Sequence, residues 1–329
     1  MRRAGRRRGW KPLLALAGLG VAAAAAVVLT RRGRTGMAAP GAEPGAPGVE
    51  PAAADPAEAL APPPSPSALR ESWIAGPAGT LFLREVDGPG LPVVLVHGLA
   101  GSGRLWGAQL AWLAGRHHAV ALDLRGHGRS DPSVGGEYDV ADYAADLAAA
   151  ADALALRRFL LVGHSLGAAA AVEYAAHHRA RVAGLLLVDP PGDSTRLPRG
   201  RVEELVATVA RDPQGEVEFH YRQLLLGSTP ETAQAVLDEL AATGGEVLAP
   251  SLEAVMGWEP LAPLRRYQGP RLCLLSLLND APESLARLAP ELPARTVREG
   301  SHWLMLDRPQ AVHQALSRLL DQAAGAGPG

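Results

Sequence analysis

The chain is predicted to adopt an α/β fold: a mostly parallel central sheet flanked by helices, carrying an inserted helical cap and preceded by a single transmembrane helix. Three observations predict it. Short apolar runs such as Pro92–Val96, Phe159–Val162 and Gly184–Val188 are continuous rather than alternating, as expected of strands covered on both faces. Helical stretches separate them, which is the alternation of a parallel sheet. From 190 to 269 that alternation stops, and consecutive helical stretches replace it.

Taken in order, Trp73-Ile74 and Thr80–Val86 read as early strands separated by a Gly/Pro turn, followed by the strand Pro92–Val96. Arg104–Gly115 reads as a helix, Ala119–Asp123 as a strand, and Val140–Leu156 as a helix. The strand at Phe159, a helix over Ala168–Ala176 and the strand Gly184–Val188 follow. Within the insertion, Arg201–Arg211, Glu216–Leu226 and Glu231–Thr243 look helical, with Pro213, Pro230 and Pro250 as punctuation. Strands at Arg271–Ser276 and Ala294–Arg298 and a helix at Gln310–Gln322 complete the pattern.

The front of the chain is read as separate from this domain. Leu13–Thr30 is uncharged and rich in Leu, Ala and Val. As a helix it would be about 27 Å long, close to the hydrocarbon thickness of a bilayer. Arg2, Arg3, Arg6, Arg7, Arg8 and Lys11 precede it, which orients the N-terminus to the cytoplasm and the domain to the far side. Thr30-Arg31-Arg32 stands where a signal-peptide cleavage site would need small residues, so a signal anchor fits better than a cleaved signal. Cleavage near Ala39, giving a secreted protein, is the alternative. The expected organisation is a basic cytoplasmic segment 1–12, an anchor 13–30, a Pro/Ala/Gly-rich tether 31–68, a core of 69–189 and 270–322, a cap 190–269 and a disordered tail 323–329.

Composition narrows the classes. With 329 residues, 47% of them apolar, the chain has enough material for one large domain beyond this front segment. A net charge of −2 offers no global field for nucleic acid, which is not expected as a partner. One cysteine, Cys273, excludes an internal disulfide and sits in an apolar run that predicts burial. No Cys/His spacing suggests a metal site, and His117-His118 and His177-His178 are read as helix-end residues.

The chemistry is carried by Gly163-His164-Ser165-Leu166-Gly167, between an apolar strand and an Ala-rich helix. A Ser between two glycines at a strand-to-helix turn is the pattern of a nucleophile elbow, although the same pattern also suits a plain tight turn. His97-Gly98-Leu99-Ala100-Gly101-Ser102 ends an earlier strand. Such a Gly-rich loop points backbone N–H groups at one spot, and the N–H groups of Leu99 and Leu166 are the expected oxyanion donors. Glu299-Gly300-Ser301-His302-Trp303 places His302 after a strand and before the last helix, where a general base could reach Ser165. Asp123, Arg125, His127 and Ser130 are read as loop architecture, and His97 and His164 as braces of their own turns. Trp106, Trp258 and Trp303 are candidates for an apolar pocket or for core packing.

These motifs, with Asp123-Leu-Arg-Gly-His-Gly-Arg-Ser130 and Asp307-Arg-Pro309, resemble the α/β-hydrolase superfamily in its branch with a helical cap, from about Ser72 to Leu320. The resemblance implies a Ser-acid-His triad, an oxyanion hole from the two loops, a lid over the site and no cofactor. The family usually places the acid after the strand before the last one. Here that stretch reads Leu275-Ser-Leu-Leu-Asn-Asp280, with Asn279 at the expected spacing and Asp280 one step late. Asp280 is taken as the acid. Asp189, where the Gly184–Val188 strand ends, is the alternative, with Asp193 and Glu283 behind it.

The expected function is a serine hydrolase acting on an ester, a small-molecule substrate with a small to medium apolar acyl group. A carbon–carbon bond hydrolase or a perhydrolase on the same fold is an alternative. So is a membrane-tethered, non-catalytic binding protein, which only the displaced acid favours.

Overall fold

The computed structural model describes residues 69–325. The basic segment 1–12, the anchor at 13–30, the tether 31–68 and residues 326–329 lie outside them. Among the described residues no helix is long and apolar enough to cross a membrane.

A seven-stranded sheet forms the centre. Strand β1 (Arg70–Gly76) turns through Pro77-Ala78 into β2 (Gly79–Val96), with Gly76 opposite Gly79. The two strands expected at Thr80–Val86 and Pro92–Val96 are thus one long element. Gly90 keeps the middle in the ladder by donating its N–H to the Arg116 carbonyl at 2.8 Å. Strand β3 (His117–Leu122) is shared by both arms of β2: Leu83 opposes Leu122 and Val86 opposes Ala119, while Val93 opposes Ala119 and Val96 opposes Leu122. Partner numbers fall along the first arm and rise along the second, so β3 runs parallel to the arm that leads into the His97 loop. Strands β4 (Phe159–His164), β5 (Val182–Val188), β6 (Arg271–Leu275) and β7 (Ala294–Thr296) then add in parallel. Every residue of β4 and β5 is buried, which explains their unbroken apolar sequence.

Helices cover the sheet. A 3-10 turn at Gly103–Trp106 leads into α1 (Gly107–Leu113). Helix α2 (Val140–Ala153) starts at a capping box between Asp139 and Asp142. Helix α3 (Leu166–His177) buries Ala168 to Ala171 completely, because side chains that small let its axis approach the strands closely. His117 and His118 lie at the start of β3 rather than at a helix end: His117 Nδ1 pairs with the Leu91 carbonyl at 2.9 Å and His118 Nε2 with Glu85 Oε2 at 3.0 Å. His177 and His178 do close α3. Among the described residues no His/Cys/Asp/Glu group could hold a metal ion.

The cap has five helices where three were expected: α4 (Arg199–Arg211), α5 (Pro213–Leu224), α6 (Pro230–Ala242), α7 (Gly245–Gly257) and α8 (Leu261–Arg266). Pro213 and Pro230 open helices, where a missing N–H costs nothing. Pro250 lies inside α7, at an interior position that costs roughly 3 kcal/mol. Burial of Val247, Leu248, Leu252, Val255 and Met256 on one face outweighs that cost. After β6 come short α9 (Leu285–Leu288) and α10 (Leu304–Asp307), then α11 (Pro309–Gly325), which extends three residues into the stretch expected as tail. Cys273 is buried, and desolvation pushes its thiol well above the usual range.

Candidate active site

Ser165 sits between β4 and α3 with φ 49° and ψ −120°, a strained backbone for a residue with a side chain. The flanking glycines make the turn possible. A Cβ on Gly163 would lie 2.3 Å from the Gly167 carbonyl oxygen, and one on Gly167 would lie 2.3 Å from the His97 carbonyl oxygen. No side chain fits either space, so the spacing G-x-S-x-G is a steric requirement here.

The His97 loop closes against this elbow. Gly101 donates to the Gly98 carbonyl at 3.1 Å, and Leu99 and Leu166 line one cavity with Ser165. Neither the Leu99 nor the Leu166 N–H is paired with a backbone carbonyl of the described turns and loops. Leu166 is also the first residue of α3, where the helix leaves its N–H groups free and positive.

His302 faces the same cavity and is 9% exposed. Its Nδ1 lies 2.7 Å from Asp189 Oδ2, which leaves Nε2 as the ring nitrogen free for other work. Its own N–H donates to the Leu224 carbonyl of the cap at 3.1 Å. Gly300, at φ 106°, and Ser301 shape the loop, and Asp307 Oδ2 accepts both the Ser301 N–H at 2.7 Å and the Ser301 hydroxyl at 2.6 Å.

The structure brings Asp189, and not the expected Asp280, to His302. Asp280 follows a 3-10 turn, Leu277–Asn279, that carries its side chain outward: it is 63% exposed and pairs with Arg287. Asp189, the alternative, is 1% exposed at the end of β5, at φ 45°. Its Oδ1 accepts the Ser276 N–H at 2.7 Å, and its Oδ2 accepts the Ser276 hydroxyl at 2.8 Å beside His302. Asn279 donates from Nδ2 to the Pro190 carbonyl at 2.8 Å. The residues at the usual acid position thus hold the loop that presents Asp189. Asp193 engages Thr195 and Arg196, and Glu283 Oε2 is buried without a partner among the described residues.

Two histidines do more than brace their own turns. His97 Nδ1 pairs with the Gly98 carbonyl at 2.7 Å, and its Nε2 accepts the Leu124 N–H at 3.0 Å, joining the loops after β2 and β3. His164 Nε2 pairs with the His302 carbonyl at 3.1 Å, and the two rings stand 4.6 Å apart. Complete burial drives the His164 pKa well below its ordinary value, so it is a neutral support. The Asp123 loop is architecture, as expected: Asp123 accepts the Gly103 N–H at 2.6 Å and the Arg129 N–H at 2.9 Å, and Arg125 is paired with buried Asp146. Trp303 lines the cavity, whereas Trp106 is core and Trp258 donates to Glu173 Oε1 at 2.9 Å.

The cavity itself is narrow, about 30 Å³, and mostly apolar. Val217, His220, Tyr221 and Leu224 of α5 and Leu252 and Val255 of α7 form its cap side. The Tyr221 hydroxyl donates to the Leu99 carbonyl. A space this size holds little more than a water or two. The arrangement brings together a hydroxyl on a strained turn, an imidazole oriented by a buried carboxylate, and two unpaired N–H groups, the parts that acyl transfer requires.

A family model described as the alpha/beta hydrolase family matches residues 93–315. A protein of Variovorax paradoxus strain S110, whose name proposes it as a carbamate hydrolase, RutD, is 44% identical over 108 residues, 32% of this chain and 41% of that protein. The non-heme haloperoxidase of Rhodococcus erythropolis is 35% identical over 145 residues, 44% of this chain and 48% of the relative. The chain spans less than half the length of these curated relatives. A thermophilic esterase from Thermogutta terrifontis superposes with a TM-score of 0.66 at 24% identity, over 77% of this chain and 99% of that one. At that identity the likeness is one of fold.

Proposed function

This chain belongs to the alpha/beta hydrolase family, and on that premise we propose that it is a serine hydrolase cleaving a carboxylic ester of a small to medium apolar acyl group. The observation that carries this reading is one cavity holding the Ser165 elbow and His302, the latter backed by Asp189 at 2.7 Å. The Ser165 oxygen attacks the ester carbonyl while His302 Nε2 takes its proton. Asp189 holds the ring in the tautomer with hydrogen on Nδ1 and stabilises the imidazolium that forms. The N–H groups of Leu99 and Leu166 receive the oxyanion, and the protonated Nε2 then delivers its hydrogen to the departing alcohol. Water, deprotonated by the same nitrogen, attacks the acyl-enzyme and releases the acid and Ser165. The apolar wall of Leu99, Val217, Leu252 and Val255 supports an apolar acyl group.

A perhydrolase is the second reading, favoured by the similarity to a protein named a haloperoxidase. It would use the same acyl-enzyme with hydrogen peroxide in place of water, yielding a peracid. A non-catalytic scaffold rested on the displaced acid alone, and Asp189 beside His302 speaks against it. The proposed setting is a domain tethered outside the cytoplasm by the segment 13–30.

A fluorophosphonate probe tests the hydrolase reading. Labelling of the wild-type protein that disappears in Ser165→Ala, together with a fall of about four powers of ten in p-nitrophenyl ester hydrolysis, is expected. An unlabelled wild-type protein, or equal activity in the variant, would overturn it.

A further inference from the structure

The cavity beside Ser165 contains one imidazole with neither ring nitrogen paired among the described residues. His220, on the cap helix α5, lines it and is 7% exposed, and neither Nδ1 nor Nε2 has a hydrogen-bond partner among the described residues. The other polar side chains there each have at least one partner: His164 Nε2 pairs with the His302 carbonyl although its Nδ1 has none among the described residues, His302 Nδ1 pairs with Asp189, and the Tyr221 hydroxyl donates to the Leu99 carbonyl. Around His220 the wall is aliphatic, with Val217, Leu224, Leu252 and Val255. An imidazole buried among such groups without a partner destabilises the protein, and a leucine would fill the space without that loss.

The ring is also held in place. Helix α5 is tied to the site by Tyr221, through the Leu99 carbonyl, and by Leu224, whose carbonyl accepts the His302 N–H at 3.1 Å. His220 precedes the first of these residues directly, and Phe219 packs edge-on against it at 5.4 Å. Its position relative to Ser165 and His302 is therefore set by the same contacts that set the oxyanion loop and the base. Burial holds its pKa down to about 4, so at neutral pH the ring offers one N–H and one lone pair. That pair complements a hydroxyl, an ether or an amide better than a carboxylate.

We propose that His220 is a specificity-determining residue that hydrogen-bonds a second, uncharged polar group of the substrate, located outside the bond that is broken. The inference rests on the hydrolase reading and narrows it. The substrate class becomes an ester, otherwise apolar, that carries one hydroxyl, ether or amide group within reach of the cap. A substrate bond would give the ring a partner that no described residue supplies, so the penalty of the unpaired imidazole is relieved in the complex.

The test uses purified full-length protein and two matched pairs of esters. One pair differs by a methylene-to-oxygen exchange in the acyl chain (p-nitrophenyl pentanoate against p-nitrophenyl 3-methoxypropanoate). The other carries the same exchange in the alcohol (butyl against 2-methoxyethyl acetate). In His220→Leu, the ratio of kcat/KM for the polar over the apolar member should fall about ten-fold for at least one pair, the worth of one hydrogen bond, mainly through KM. His220→Gln should recover part of it, and His220→Phe provides the same comparison if leucine is not tolerated. Ratios unchanged in both pairs would overturn the proposal while wild-type fluorophosphonate labelling still upheld the hydrolase reading. Absence of that labelling would overturn both.

Discussion

Asp189 Oδ2 and His302 Nδ1 stand 2.7 Å apart across 113 residues of chain. Each comes from the C-terminal end of the sheet: Asp189 directly follows β5, and His302 lies on the loop beyond β7. Asp189 holds its carboxylate there from a left-handed backbone, φ 45°, with Ser276 donating twice from the neighbouring strand end. A strained residue costs of order 1–3 kcal/mol and persists where its surroundings over-determine it. Here two hydrogen bonds and the imidazole do so.

Replacing Asp189 by asparagine should lower kcat by about four powers of ten, because the amide no longer stabilises the imidazolium and favours the wrong tautomer. Asp280→Asn should leave turnover near wild type, since Asp280 is exposed and paired with Arg287. Steady-state hydrolysis of a p-nitrophenyl ester by both variants checks this. A crippled Asp280→Asn beside an active Asp189→Asn would return the acid to Asp280.

Ser276→Ala removes the hydroxyl bond to Asp189 but keeps the backbone one. A hydrogen bond to a charged group contributes about 1.5–3 kcal/mol, so a drop of roughly ten-fold or more in kcat is expected. KM should change little, because Ser276 does not line the cavity. An effect confined to KM would contradict a positioning role.

Acid should destabilise the domain through its buried histidines. Burial lowers the pKa of His97 from 6.5 to about 4 and that of His127 to about 3. Between those values and 6.5 the unfolded chain binds protons that the folded chain does not, so stability falls as pH drops from about 6.5 towards 4. His97 alone accounts for about 3 kcal/mol at the bottom of that window. Tm measured by scanning calorimetry at pH 7.5, 6 and 5 should decline, and the decline should be shallower in His97→Gln. A flat Tm across the range would show that these rings titrate alike in both states.

The proposed topology predicts that protease added to intact cells cuts the Pro-rich tether at 31–68 and frees the domain. Protection in intact cells, with cutting only after lysis, would place the domain on the other side of the membrane.

Much of the fold is legible in the chain because burial on both faces leaves unbroken apolar strands, and β4, β5 and β6 are found where those runs occur. Two elements were not. Thr80–Val86 and Pro92–Val96 read as separate strands, yet β2 continues through Gly88-Pro89-Gly90 between them because β3 supplies the ladder partners. Pro250 reads as punctuation with no helix around it, yet α7 runs through it because its buried face is worth more than one missing hydrogen bond. In both cases tertiary contacts outweigh a local signal. His220 carried no signal at all: a lone histidine in a cap helix looks like any other until its surroundings are known.

The sequence by itself determined where Ser165 and His302 are presented, since the glycines around Ser165 and the loop holding His302 are local devices whose geometry depends on a few adjacent residues. Only the tertiary structure decided which carboxylate meets His302. Two neighbouring strand ends, after β5 and after β6, both present a carboxylate near the third member. Which one meets the imidazole depends on side-chain direction: a left-handed φ turns Asp189 inward, and a 3-10 turn carries Asp280 out to Arg287.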